Sequence, residues 1–133
     1  METMTELARR VVACKHWRWM PGMLESHGYR VLAVSSEFVT LDTIECWLEE
    51  PSYPRAEHMG VKSSECLPDL TDPATVGCLL ALVREAWGDQ RMFITYDDGD
   101  TQWPWDVWIP NRSAIRSGQT EAAALVAALE AAP

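Results

Sequence analysis

The segment from Asp72 to Gly88 constrains the fold more than any other. Asp72 offers a side-chain acceptor to the orphan amides of a first helical turn, and Pro73 has the φ of a first helical position. Gly88 accepts the left-handed φ that commonly follows a last turn. Between them Val76, Leu79, Leu80, Val83 and Trp87 recur at helical spacing. Cys78, Ala81 and Leu82 make most of the remaining circumference apolar too. A helix of this kind must be covered on most sides, so the rest of the chain is expected to pack around it.

The flanking segments supply that cover. Thr3 and Glu6 form a capping box ahead of a predicted helix over Met4 to Cys14, with Leu7, Val11 and Cys14 on one stripe. Tyr29 to Ser35 reads as a strand introduced by Gly28. A second strand is predicted from Glu37 to about Trp47, with mixed faces that suggest a bulge or an edge position. Pro51, Pro54, Gly60 and Pro68 mark an irregular loop over about 49–72. Arg91 to Tyr96 and Trp103 to Ile109 form a hairpin across Asp97-Asp98-Gly99-Asp100, residues that tolerate positive φ. Pro104 suggests that its strand lies at an edge. After a polar stretch, Asn111 to Gly118, a third helix is predicted over about Thr120 to Ala132, with Ala122, Leu125, Val126 and Leu129 as its stripe. The order αββαββα describes a single α+β domain over 1–133, its mostly antiparallel sheet packed against the central apolar helix.

Charge narrows the partners. The chain carries 20 acids against 11 bases, a net −9, which disfavours duplex DNA because phosphate neutralisation needs clustered cations. No apolar run reaches the roughly 18 residues of a membrane span, and the first residues lack the apolar core of a signal peptide. The four cysteines, Cys14, Cys46, Cys66 and Cys78, show no paired spacing and read as reduced thiols, at least two of them buried.

One segment departs from the acidic background. Arg9, Arg10, Lys15 and Arg18 are four of the bases, and no acid separates Leu7 from Leu24. Within Cys14 to Met23, Lys15 and Arg18 can hold an anion, while Trp17 and Trp19 can stack on a ring beside His16. The alternative is a plug, with the indoles turned inward and the bases solvated. Trp103, Trp105 and Trp108 form the other candidate surface, since tryptophan is enriched in binding hot spots. Period two turns Trp103 and Trp105 one way and Trp108 the other, so one face is expected to be core.

Motifs for chemistry are sparse. Cys14, His16 and His27 have zinc-ligand chemistry at a spacing that matches no compact zinc module. Asp97, Asp98 and Asp100 lack the spaced ligands and distal glutamate of a calcium loop. Ser35 and Ser36 follow a strand without a nucleophile elbow, and no glycine-rich phosphate loop is present. No catalytic residue, metal ligand or cofactor is therefore assigned.

Two runs carry a resemblance. Lys15 to Met23 (KHWRWMPGM) and Leu67 to Leu80 (LPDLTDPATVGCLL), continuing through Val83 to Gly88 and faintly into the Ala-rich C-terminal helix, resemble a family of small hypothetical proteins of bacteriophages and prophages. The family has no assigned activity, so the resemblance implies a phage setting and carries no catalytic residue over. The resulting expectation is a non-enzymatic accessory protein in the host cytoplasm that acts by binding. Its partner would be a host immune protein or a small nucleotide-like signal, as in counter-defence. The alternative is a small virion structural or assembly protein, or a chaperone, that self-associates through the tryptophan hairpin. An uncharacterised hydrolase or metalloenzyme is a third class.

Overall fold

The computed structural model describes residues 2–42, 58–100, 102–110 and 114–133. The class is α+β with antiparallel strands, and the order is αβββαβββα. Each predicted strand pair gains a third strand.

Helix α1 spans Met4–Val12 and opens on the expected capping box. Thr3 Oγ1 accepts from the Glu6 amide at 3.1 Å, and Glu6 Oε2 accepts from the Thr3 amide at 2.7 Å. It ends two residues before Cys14, where the Cys14 amide turns back to the Val11 carbonyl. Helix α2, Pro73–Trp87, has its Asp72 and Gly88 caps in place, Gly88 at φ 68°. Helix α3, Glu121–Ala131, starts from Thr120, whose hydroxyl accepts from the Ala123 amide. The core encloses α3 even more fully than α2: Ala122, Ala124, Leu125, Val126, Ala128 and Leu129 are all buried. Its alanines let neighbours approach closely from every side. It lies against the second sheet and touches both other helices, and Trp87 Nε1 donates to the Ala128 carbonyl at 2.8 Å.

The first sheet has the order β1-β2-β3: Arg30–Val34, Phe38–Asp42 and His58–Lys62. Val31, Val39 and Leu41 face the core. The bulge or edge position expected in β2 is resolved differently, because β2 is central and the register slips in its partner between Val31 and Ala33. Strand β3 and a 3-10 turn, Ser63–Glu65, lie within the segment expected to be an irregular loop. Residues 43–57, with Cys46 and Trp47, lie outside the described residues.

The second sheet has the order β4-β5-β6: Phe93–Tyr96, Trp105–Trp108 and Ala114–Gly118. The edge position predicted from Pro104 is corrected, since β5 is the middle strand. Pro104 stands just before the strand, where no ladder amide is needed, and its carbonyl accepts from the Asp97 amide at 2.7 Å. Aspartate side chains brace the hairpin turn, and its Gly99 does not take the positive φ expected. Asp97 Oδ1 accepts from the Gly99 amide, and Asp100 Oδ1 accepts from those of Gln102 and Trp103. Strand β6 falls in the stretch read only as polar, Asn111 to Gly118; within the strand only Ile115 has strong strand character.

The cysteine reading holds in part. Cys14, Cys66 and Cys78 are free, and of these only Cys66 is buried; the other two are half-buried. No described helix is long and apolar enough to cross a membrane.

Candidate functional site

Beyond α1 the basic island folds as successive turns: the Trp17 amide donates to the Cys14 carbonyl, and that of Met23 to the Met20 carbonyl. Gly22, at φ 97°, then swings the chain alongside β1, where its amide donates to the Val31 carbonyl at 2.8 Å. The two indoles part company here. Trp19 is 6% exposed and belongs to the core, so it is a plug. Trp17 is only half-buried and meets Trp19 edge-on at 5.5 Å between ring centroids.

Trp17, Arg18 and the end of α1 form one wall of a cleft of about 470 Å³. The opposite wall is the β1–β2 turn, with Val34, Ser35 and Ser36, and the 3-10 turn, with Ser63, Ser64 and Cys66. The two turns are tied together, because both the amide and the hydroxyl of Ser63 donate to the Glu37 carbonyl, at 2.9 and 3.1 Å. Ser35 is held by Phe38, whose amide donates to its Oγ. The hydroxyls of Ser36 and Ser64 bond no described group. The serine pairs 35–36 and 63–64 are visible in the sequence, but only the fold shows that they meet.

The island is not a continuous positive surface. Arg18 makes a two-bond fork with Glu85 of α2, both at 2.7 Å. The fork holds the Glu85 carboxyl below its usual range and raises Arg18 further. Arg10 lies 2.6 Å from Glu2 and 3.1 Å from Glu130. Lys15 is exposed and does not line the cleft. His16 turns toward α2 beside Leu82, Glu85 and Ala86, where its buried Nε2 has no partner among the described residues. The acids missing from the local sequence are returned by the fold.

The tryptophan hairpin is similarly divided. Trp105 packs on the core and meets its cross-strand partner Tyr96 at 5.0 Å. Trp108 faces the other way, stacked on Phe93 at 6.4 Å, with its Nε1 donating to Thr95 Oγ1. Trp103 precedes the strand and is 44% exposed, beside a groove that includes Met4, Arg10 and Thr120.

Chemically, the cleft is suited to holding a molecule. Among the described residues no histidine or carboxylate hydrogen-bonds a cleft serine, so no hydroxyl there has a base to activate it. Burial pushes the Cys66 thiol up, the charges of Glu25 and Glu65 add to the push, and its Sγ donates to the Lys62 carbonyl. It is a thiol at neutral pH, not a nucleophilic thiolate. Cys14, His16 and His27 do not converge, and no described group of three such side chains can hold a metal ion. No family model, no curated protein and no solved structure matches the chain.

Proposed function

We propose that this protein is a non-enzymatic phage accessory protein that acts inside an infected host by binding, and that its cleft sequesters a small nucleotide-like ligand. One observation carries the reading: a cleft of about 470 Å³ brings together an indole, a guanidinium and two serine hydroxyls that bond no described group. That volume lies within the range of small-molecule sites. The Trp17 ring provides a stacking surface for a base, Ser36 and Ser64 hydrogen bonds to phosphate or sugar, and Arg18 the N–H donors that its fork with Glu85 leaves over. With a net charge of −9 the protein repels phosphates at long range, so the ligand is held by these short contacts. The phage setting comes from the sequence resemblance, and sequestering a host nucleotide signal is the counter-defence role that fits both.

Thermal unfolding with a panel of mono-, di- and cyclic nucleotides tests the proposal. A nucleotide at a hundred times its Kd stabilises the folded state by about 2.7 kcal/mol, a readily measured shift. Trp17→Ala and Arg18→Ala are expected to remove that shift. Absence of any shift across the panel with the native protein overturns the reading.

A second reading, a self-associating virion component, draws on Phe93, Tyr96 and Trp103, all exposed on or beside the second sheet. It requires association that rises with concentration in sedimentation and weakens in Trp103→Ala. A monomer at all concentrations removes it.

A further inference from the structure

A second cavity, of about 410 Å³, shares Cys66 with the cleft as a lining residue. Its walls are Tyr29, Leu41, Met59 and Val61, and its polar groups are Glu25, Glu65 and His27. Glu25 is 1% exposed, the one buried acid among the described residues. A buried carboxylate needs compensation. Its two partners come from a single residue: Oε1 accepts from the His27 amide at 2.6 Å, and Oε2 meets His27 Nδ1 at 2.8 Å. The His27 side chain is itself 77% exposed. The carboxylate is thus roofed by a ring held mainly by that one contact. Glu65, exposed at the rim, has no ion-pair partner among the described residues.

We infer that this cavity is a binding site for an organic cation, an ammonium or guanidinium on a short apolar body, whose charged head takes the place of the His27 ring at Glu25 Oε2. The His27 amide keeps Oε1 occupied, so the carboxylate stays oriented while the exposed ring moves aside. Tyr29 and Met59 offer an aromatic ring and a thioether to the apolar body, and Glu65 adds a second negative charge at the entrance. The field of the whole chain, at −9, attracts such a ligand and repels the anion proposed for the cleft. The two sites, which share Cys66, therefore take opposite charges. This inference stands independently of the nucleotide reading.

Calorimetric titration with 2-phenylethylammonium, against neutral 2-phenylethanol, tests it; a blocked lysine, N-acetyl-lysine amide, separates a free amine from a protein side chain. Saturable binding of either cation with none of the alcohol is the expected result. Glu25→Gln, which can still accept from the His27 amide, is expected to weaken the cation at least about tenfold, since it loses a charge-assisted bond. Glu65→Gln, on the surface, is expected to weaken it about threefold. His27→Ala removes the roof and leaves affinity equal or higher. If Glu25→Gln does not fold, the Tyr29 and His27 proton resonances of the native protein must shift on adding the ammonium. Equal binding of alcohol and cation, no binding of either cation, or static Tyr29 and His27 resonances would overturn the inference.

Discussion

Trp17 and Trp19 show how two like residues, two positions apart, take different roles once the backbone is fixed. Trp19 fills the core, and its replacement by alanine is expected to cost about 3–5 kcal/mol in urea denaturation. Trp17→Ala is expected to cost clearly less and to act on ligand binding; equal losses from the two would mean that both are plugs. The choice between plug and site is thus answered one residue at a time. Asp72 carries a different kind of weight. Its carboxylate caps α2 through the Thr75 amide and hydroxyl, both at 2.9 Å, and takes the Arg30 guanidinium from β1 at 2.7 Å. The Arg30 contact, aided by the Thr75 bonds, holds the Asp72 carboxyl below its usual range of about 3.9. A carboxyl bound more weakly by protons when folded stabilises the protein above the ordinary value, and that stabilisation fades as the pH falls through the lower, folded value. Asp72→Asn is therefore expected to lose about 1 kcal/mol at pH 7, the Arg30 side being partly solvent-screened. The gap between variant and native should close toward pH 2, as urea midpoints would show; a pH-independent gap would contradict the assignment.

At the level of elements, the helices were legible and two of the strands were not. Caps announce helices in the sequence: Thr3, Asp72 and Gly88 act as read, while Thr120, read as the first residue of the last helix, is its N-cap. Strand β3, His-Met-Gly-Val-Lys, and β6, Ala-Ile-Arg-Ser-Gly, lack the β-branched runs that mark strands, and exist because neighbouring strands and α3 recruit them. Of the cleft, the aromatic wall was readable and the serine wall was not, because the latter depends on a long-range tie between Ser63 and Glu37. Glu25 escaped for the same reason. Its burial comes from the turn at Gly28 and the bridge to Pro68, neither of which local pattern reveals. Gly118 illustrates the recruitment of β6. A Cβ there would meet the backbone of Ala123 and Ala124, with the Ala123 carbonyl carbon at 2.9 Å. Gly118→Ala is expected to destabilise by about 1–3 kcal/mol, since backbone cannot give way as a side chain can. Thermal unfolding at native midpoint would mean that β6 and α3 do not approach so closely.

Across the whole molecule the two sheets stand in different relations to the helices. The second sheet lies under α3. The first gives the core Val31, Val39 and Leu41, and its remaining links to the helices are few: Arg30 to Asp72, and, just ahead of it, Leu24 to Thr75 and the backbone of residues 24–26 to that of 67–69. Both candidate cavities are walled partly by the first sheet, the cleft through Val34 and the acidic cavity through Leu41, Met59 and Val61. Segments held by few ties open more readily than a packed core. Amide hydrogen exchange is therefore expected to be faster in β1–β3 than in α3, by a smaller opening free energy than that of global unfolding. A molecule lodged in either cavity would hold the sheet shut and slow that exchange, without touching the protection of α3. The seam makes occupancy audible as a change in rhythm, in one half of the protein and not the other.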